Sequence, residues 1–147
     1  MQRSTRLYTP GGVLVDSSVI IAALNRSDSL HRRAVRLLSD ILRGAYGVPH
    51  VTDYIVDEVL TYMASRGGRE AALRAGKLFF EKRAFRIIPV TLDIFNEAWS
   101  LFAAQAPRIS FTDATSIVAA KLYNLDYIAT FDSELAKLYP SLGASNV

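Results

Sequence analysis

Acidic residues recur in the sequence where predicted strands give way to predicted helices. Asp16 follows the apolar strand Val13–Val15, Asp132 follows the strand-like run 128–131, and Asp113 lies at the start of a helix. A single aspartate in such a position is most simply a helix cap, because its carboxylate accepts hydrogen bonds from the first backbone N–H groups of the helix. Two strand-end acids of one parallel sheet, however, share its carboxyl edge. A carboxylate cluster packed together at that edge needs a reason beyond capping.

Short β-rich runs alternate with segments of helical periodicity along the chain. Strands are predicted at 13–15, 46–49, 86–90 and 126–130, and helices at 17–24, 29–43, 52–66, 69–82, 91–105, 113–123 and 133–139. Such alternation implies right-handed crossovers and a parallel sheet covered on both faces. We therefore predict a single α/β domain over residues 1–147, with its core at about 13–139. Its architecture is a three-layer α/β/α sandwich with a central, mainly parallel sheet.

The composition of the 147-residue chain limits the kind of site it can build. There is no cysteine, which excludes disulfides and thiolate sites, and with only His31 and His50 a structural zinc site is nearly impossible. Any bound metal must therefore be held by oxygen. The net charge of +3 and the pI of 9.3 mildly favour an anionic partner.

No membrane or targeting segment is predicted. A membrane span needs about 20 consecutive apolar residues, which the sequence nowhere supplies. The apolar stretch 13–24 is interrupted by Asp16, Ser17 and Ser18, and no small-residue cleavage site follows it. We expect a cytoplasmic protein without a membrane partner.

Other catalytic arrangements are poorly represented. Ser17 and Ser18 do not lie in a G-x-S-x-G segment, so a serine hydrolase is not indicated. His31 and His50 could form an acid–base pair, but solvent-facing or capping roles explain them more simply. A phosphoaspartate enzyme would have a second acid two residues after Asp16, where this chain has Ser18.

Glu58 differs from the three aspartates because it lies inside a predicted helix, 52–66. It falls beyond the edge of the apolar stripe of that helix, and the neighbouring Asp57 is nearly as eligible for a functional role. Helical periodicity alone therefore favours a solvated acid and does not choose between the two.

Four short segments of the chain resemble the signature blocks of the PIN-domain family. They are VLVDSSVI at 13–20, VDEVL at 56–60, SFTDA at 110–114 and IATFD at 128–132. Their order and spacing match from about residue 13 to residue 139. Within the family the chain most resembles the VapC-type toxins of prokaryotic toxin–antitoxin pairs. The resemblance implies a PIN-like α/β/α fold and Mg²⁺- or Mn²⁺-dependent endoribonuclease activity.

The resemblance also implies which residues form the site. The acids that match the catalytic, metal-binding positions are Asp16, Glu58, Asp113 and Asp132. The match favours Glu58 over Asp57, and Asp132 occupies the position that varies most in such proteins. Ser18 and Thr130 match polar positions, and we assign both to orienting the carboxylates or the bound water.

The proposed chemistry follows from the repulsion among four carboxylates, which a hard divalent cation with oxygen ligands relieves. A water whose pKa is lowered by the ion can attack a phosphodiester phosphorus. Our hypothesis is in-line hydrolysis of RNA that leaves a 5′-phosphate and a 3′-hydroxyl. No histidine is required.

Basic and aromatic side chains could bind the RNA. The basic residues form two groups, Arg32, Arg33, Arg36 and Arg43, and Arg66, Arg69, Arg74 and Lys77; the aromatic residues are Tyr46, Tyr54 and Tyr62. Phosphate contacts give a salt-dependent affinity, and rings can stack on bases. For any one basic residue, a solvated helix face with pairs such as Arg36 with Asp40 is an equally good interpretation.

Protein partners are implied mainly by the resemblance, which suggests a homodimer and a cognate antitoxin inserted along the active-site groove. The helix 91–105 carries Phe95, Trp99 and Phe102, which are most simply core residues and in part a partner surface. Two alternatives to a toxin remain open. One is a housekeeping RNA-processing nuclease with the same fold, and the other is a catalytically silent PIN domain that serves as an RNA-binding or scaffold module.

Overall fold

Strands and helices alternate through residues 11–144, the part of the chain that the computed structural model describes. In chain order they are β1 (Val13–Val15), α1 (Ser17–Leu24), α2 (His31–Leu42), β2 (Pro49–Thr52), α3 (Asp53–Phe80), β3 (Arg86–Ile88), α4 (Leu92–Gln105), α5 (Phe111–Leu122), β4 (Tyr127–Thr130), α6 (Ser133–Ala136) and β5 (Ser141–Gly143). The ends of the predicted domain, 1–10 and 145–147, lie outside the described residues.

The five strands form one sheet in the order β3-β2-β1-β4-β5, and every neighbouring pair is parallel. The central strand β1 is completely buried. Its residue Val15 is in register with Ala129 of β4, so the segments that follow these two strands leave the sheet side by side. Helix α1 packs against α2 and α3, whereas α4 packs against α5. The predicted α/β/α sandwich with a parallel sheet is confirmed.

The starts of α3, α4 and α5 are fixed by capping hydrogen bonds. The hydroxyls of Thr52 and Thr91 accept hydrogen bonds from the backbone N–H groups of Ile55 and Ile94. Ser110 caps α5 in the same way. Each of these side chains satisfies a backbone donor that the first turn of a helix leaves without a partner.

Two strands differ from the prediction. The second strand is predicted at 46–49, but it lies at Pro49–Thr52, because Gly47 has a φ of 86° and belongs to a turn. The strand β5 is not predicted, since its three half-buried residues carry no period-two pattern. The helix predicted at 133–139 ends at Ala136.

The helix α3 bends at Gly68, whose φ of 76° and ψ of −165° interrupt the helical backbone. Only glycine adopts such angles without strain, so the predicted break between two helical segments is confirmed. Neither this helix nor any other within residues 11–144 is both long and apolar enough to cross a membrane.

Two aromatic side chains of α4 are more exposed than core residues are. Ile94 and Ala98 are buried, whereas Phe95 and Trp99 are 42% and 60% exposed. The interpretation of these two rings as core residues is therefore wrong. Their helix contacts α5 through Phe95 and Phe102, whose rings meet Phe111 edge-on at 5.3 and 5.9 Å, and Trp99 remains largely exposed.

Ser116 of α5 has the one buried side-chain oxygen that lacks a hydrogen-bond partner within the described residues. Its equally buried neighbour Thr115 donates to the Thr112 carbonyl at 2.6 Å. A buried hydroxyl without a partner costs about 1–3 kcal/mol. We expect Ser116→Ala to raise the free energy of unfolding by about 1 kcal/mol and Thr115→Val to lower it by a similar amount, as measured by urea denaturation. A destabilised Ser116→Ala protein would show that the hydroxyl has a partner.

Candidate functional site

The Asp16 carboxylate is buried at the carboxyl end of β1, with 5% of the residue exposed. It occupies the N-cap position of α1, yet its side chain makes no capping hydrogen bond. Instead, its Oδ2 atom accepts hydrogen bonds from Ser18 Oγ at 2.7 Å and from Thr130 Oγ1 at 2.9 Å. The carboxylate is therefore fixed by hydroxyls of α1 and β4, and capping does not explain its position.

Both hydroxyls are themselves held by the backbone after β4. Ser18 Oγ accepts from the Phe131 N–H at 3.1 Å, and Thr130 Oγ1 accepts from the Asp132 N–H at 2.9 Å. Because each oxygen accepts a backbone N–H, its own proton is directed to Asp16. The resemblance assigns both residues to orienting the carboxylates or the bound water, and in the structure both hydroxyls donate to Asp16.

Asp113 lies in the first turn of α5 in a capping box with Ser110. Its Oδ2 accepts from the Ser110 N–H, and the Ser110 hydroxyl accepts from the Asp113 N–H, each at 3.0 Å. Burial, together with the nearby charges of Asp16 and Asp132, raises the pKa of Asp113 to about 6. Asp113 is thus both a helix cap, as its position alone suggests, and a member of a group of like charges.

Asp132 caps the short helix α6, where its Oδ1 accepts from the N–H groups of Glu134 at 2.9 Å and Leu135 at 3.4 Å. Burial raises the pKa of Asp16, and the charge of Asp132 adds to that rise. Three aspartates, from the ends of β1 and β4 and the start of α5, therefore interact electrostatically at the carboxyl edge of the sheet, where the sequence predicts the two strand-end acids, Asp16 and Asp132.

Glu58 lies on the exposed side of α3 and reaches this edge through Ser17. The Ser17 hydroxyl donates to Glu58 Oε1 at 2.7 Å, although the two residues are 41 positions apart. Asp57 instead accepts from Thr61 of its own helix at 3.4 Å. From the sequence, Ser17 is considered only as a nucleophile, and its contact with Glu58 is missed because no local pattern indicates it.

The donor set suits a hard divalent cation, because it consists of carboxylates, two of which have pKa values raised by burial and by neighbouring acids. The residues that would hold the ion are Asp16, Asp113 and Asp132, with Glu58 at the rim. Within residues 11–144, no three His, Cys, Asp or Glu side chains already converge on one point as metal ligands. Binding would therefore require rotation of these side chains.

The two histidines do not form an acid–base pair. Nδ1 of His31 is 2.8 Å from the Ala22 carbonyl oxygen, and Nδ1 of His50 is 2.8 Å from the Val48 carbonyl oxygen. His50 is buried at the amino end of β2, opposite the acids, and burial lowers its pKa. Both rings therefore have structural hydrogen bonds.

The hydroxyls of Ser18 and Thr130, which donate to Asp16, should favour the ionised form of its carboxylate. Because each donates to the charged carboxylate, losing either should raise the pKa of Asp16 further. We expect this rise in Ser18→Ala and in Thr130→Val, measured by NMR titration of the Asp16 carboxyl carbon. Ser27→Ala is the control, since the Ser27 hydroxyl donates to Asn25, away from the acids. An unchanged pKa in both variants would contradict the assigned role.

Comparison with known proteins agrees with this fold. The family model described as PIN domain matches residues 13–139, whereas a comparison with curated protein sequences gives no match. The crystal structure of VapC20 from Mycobacterium tuberculosis, described as a Sarcin-Ricin loop cleaving toxin, is similar with a TM-score of 0.76 and 26% identity. The match covers 86% of this chain and 94% of that one.

Two further structures share the fold at lower identity. A toxin–antitoxin complex from Klebsiella pneumoniae has a TM-score of 0.65 and 17% identity, over 92% of this chain and 100% of that one. VapBC2 from Rickettsia felis, bound to a DNA fragment from their promoter, has a TM-score of 0.64 and 12% identity, over 89% and 97%. Since the family match spans every element that carries the four acids, the chain belongs to the PIN-domain family.

Proposed function

We propose that this protein is a Mg²⁺- or Mn²⁺-dependent endoribonuclease and the toxin of a VapBC-type toxin–antitoxin pair. The observation that carries the proposal is the buried Asp16, fixed by two hydroxyls and grouped with Asp113 and Asp132 in a PIN domain. Like charges held together destabilise a fold when no cation offsets them, so such a group indicates a function that needs it. This argues against a silent scaffold or RNA-binding module.

Asp16 and Asp113 have defined parts in the proposed reaction. When bound, the cation supplies an acidified water and offsets charge at the phosphate. Asp16 offers a carboxylate of fixed orientation, because Ser18 and Thr130 both hold its Oδ2. With a pKa of about 6, Asp113 is mostly ionised above pH 7 and can act as a ligand.

The similarity to VapC20 supports RNA as the substrate, since that protein is described as cleaving the Sarcin-Ricin loop. This RNA is therefore the first to test. The net charge is +3 although the site is acidic, so the rest of the protein is positively charged and attracts a polyanion. An enzyme that cleaves cellular RNA acts in the cytoplasm, which is where we place this one.

The proposed protein partners are a second copy of the chain and an antitoxin. Leu92, Phe95 and Trp99 form an exposed apolar stripe on α4, and such a patch is typical of a protein interface. Toxin–antitoxin complexes among the similar structures support an antitoxin partner.

Expression in a bacterial host tests this function. We expect growth arrest together with new 5′-phosphate ends in cellular RNA, and relief of the arrest when the product of an adjacent antitoxin gene is co-expressed. RNA cleavage without arrest would favour a housekeeping nuclease. Neither arrest nor cleavage, in a host whose RNAs include the Sarcin-Ricin loop, would contradict the proposal.

A further inference from the structure

Three arginines surround a cavity of about 580 Å³ beside the bend of α3. Arg26 enters it from the segment after α1, and Arg66 and Arg74 enter it from the two sides of the bend at Gly68. We call this cavity the arginine pocket. All three arginines are exposed, so their guanidinium groups are available to a ligand from solution.

No carboxylate neutralises these arginines within the part of the chain that the structure describes. The two ion pairs formed within residues 11–144 are Arg43 with Asp40 and Lys137 with Glu134, and neither involves the pocket. Glu70 lies on the same helix as Arg66 and Arg74 but does not line the cavity. Three like charges around one cavity favour an anion as its ligand.

The structure separates the arginine pocket from the other basic residues named in the sequence. On α2, Asp40 pairs with Arg43, whereas the sequence suggested Arg36 as its partner. Arg33 donates to the Gly143 carbonyl at 2.6 Å and lies over the Phe131 ring, so it connects α2 to the edge strand β5. Arg69 and Lys77 of α3 do not line the pocket.

An aromatic ring connects the arginine pocket to the acidic site. The Arg66 guanidinium lies 5.1 Å from the centre of the Tyr62 ring. Tyr62 also lines the adjoining cavity of about 590 Å³, which contains Glu58, Tyr54 and Thr112. Because residues four apart share a helix face, Tyr54, Glu58, Tyr62 and Arg66 form one row along α3.

The distance between the two sites suits a nucleic-acid strand. The helices α1 and α3 pack together, joined at one end by the hydrogen bond from Ser17 to Glu58. At the other end, Asn25 and Arg66 line the same pocket. Glu58 and Arg66 are eight residues apart, which is about 12 Å along a helix. An RNA strand bound at the acids therefore reaches the arginines within a few nucleotides.

We propose that the arginine pocket binds backbone phosphates of the RNA substrate on one side of the bond to be cleaved, and that Tyr62 supports a neighbouring base. This inference rests on the proposed ribonuclease function. RNA fits better than an acidic peptide, because the surface combines guanidinium groups with a ring, and that ring also lines the cavity that contains Glu58. Guanidinium groups bind phosphate oxygens, and rings stack on bases irrespective of sequence.

The test compares the double variant Arg66→Ala/Arg74→Ala with Lys77→Ala, which removes a charge from the same helix outside the pocket. Losing two phosphate contacts should raise the KM for a cleavable RNA about tenfold at physiological salt, with kcat unchanged. The slope of log affinity against log salt, measured by fluorescence anisotropy, should fall by about 1.4. Arg26→Ala, in the segment after α1, should also raise the KM. Tyr62→Leu should weaken RNA binding more than Tyr62→Phe, which keeps the ring.

The outcomes distinguish this inference from the proposed function. If the wild-type protein cleaves RNA and the double variant matches Lys77→Ala in KM and salt slope, the pocket does not bind substrate although the enzyme is a ribonuclease. If the wild-type protein cleaves no RNA with Mg²⁺ or Mn²⁺ and anisotropy detects no binding, both proposals are wrong. If only antitoxin affinity falls in the double variant, the pocket binds protein and the RNA assignment is overturned.

Discussion

Replacing Asp16 or Asp113 with asparagine should reduce metal-dependent RNA cleavage about a thousandfold, a loss of about 4 kcal/mol in transition-state stabilisation. Asparagine keeps the size of aspartate and removes its charge. At Asp16, the amide would still occupy the buried position but would lose the charge that Ser18 and Thr130 orient. At Asp113, the amide oxygen can still accept from the Ser110 N–H, so the start of α5 is preserved. The expected loss is therefore one of cation binding and not of folding.

A stability measurement separates these two causes for Asp113. Its pKa is raised from 3.8 to about 6 in the folded protein, so the fold favours the protonated form. This contribution to stability is fully present below about pH 4 and is lost as the pH rises through about 6. Without metal, Asp113→Asn should therefore be more stable than the wild type by about 1–2 kcal/mol at pH 8, and no more stable at pH 4.

The control for this pair of measurements is Asp57→Asn, which alters an exposed acid that accepts a hydrogen bond from Thr61 of its own helix. It should leave both cleavage and stability close to those of the wild type. Glu58→Gln, one residue away, should lose activity. Full cleavage by Asp16→Asn or Asp113→Asn would contradict the metal-site proposal, as would equal losses in Asp57→Asn and Glu58→Gln.

The fold could be predicted from sequence wherever a local signal was strong. Runs such as Val13–Val15 are apolar because both faces of a parallel sheet are covered, and capping residues such as Thr52 mark helix starts because they satisfy local donors. The strands β2 and β5 were misplaced or missed because pairing with a neighbour, not composition, determines them. Gly47 turns the chain where Tyr46 suggested a strand, and Ser141–Gly143 is a strand because it pairs with β4.

The site likewise contains residues that the local sequence predicts and residues that it does not. Asp16 and Asp132 could be placed at one sheet edge, because parallel strands end together there, and Asp113 by its helix start. Glu58 could not be chosen over Asp57 from periodicity, since what distinguishes it is a contact with Ser17 across 41 positions. The resemblance to a family supplied that choice. The meeting of Arg66 and Arg74 at one cavity likewise depends on the bend at Gly68, which brings residues of two helical segments together.

Adding Mg²⁺ or Mn²⁺ should raise the melting temperature of the protein more at pH 8 than at pH 5. The pKa values of Asp16 and Asp113 are both raised in the folded protein without metal, so at pH 5 Asp113 is largely protonated and a cation must displace its proton to bind. At pH 8 Asp113 is ionised, and a cation offsets the repulsion between it and the neighbouring Asp16 and Asp132. At a concentration a hundred times the Kd, binding stabilises the fold by about 2.7 kcal/mol. For a chain of this size that corresponds to about 5–10 °C.

Differential scanning calorimetry at the two pH values, with and without the cation, measures this difference, and Asp113→Asn is the matched variant. Because the variant lacks the ionising carboxylate, its shift should be small and nearly independent of pH. Cleavage of RNA should disappear with EDTA and return when excess Mn²⁺ is added. Equal shifts at pH 5 and pH 8, or an undiminished shift in Asp113→Asn, would place the cation elsewhere on the protein. The repulsion among the carboxylates would then destabilise the fold with no cation to offset it. Metal binding would therefore not explain why the fold holds these acids together.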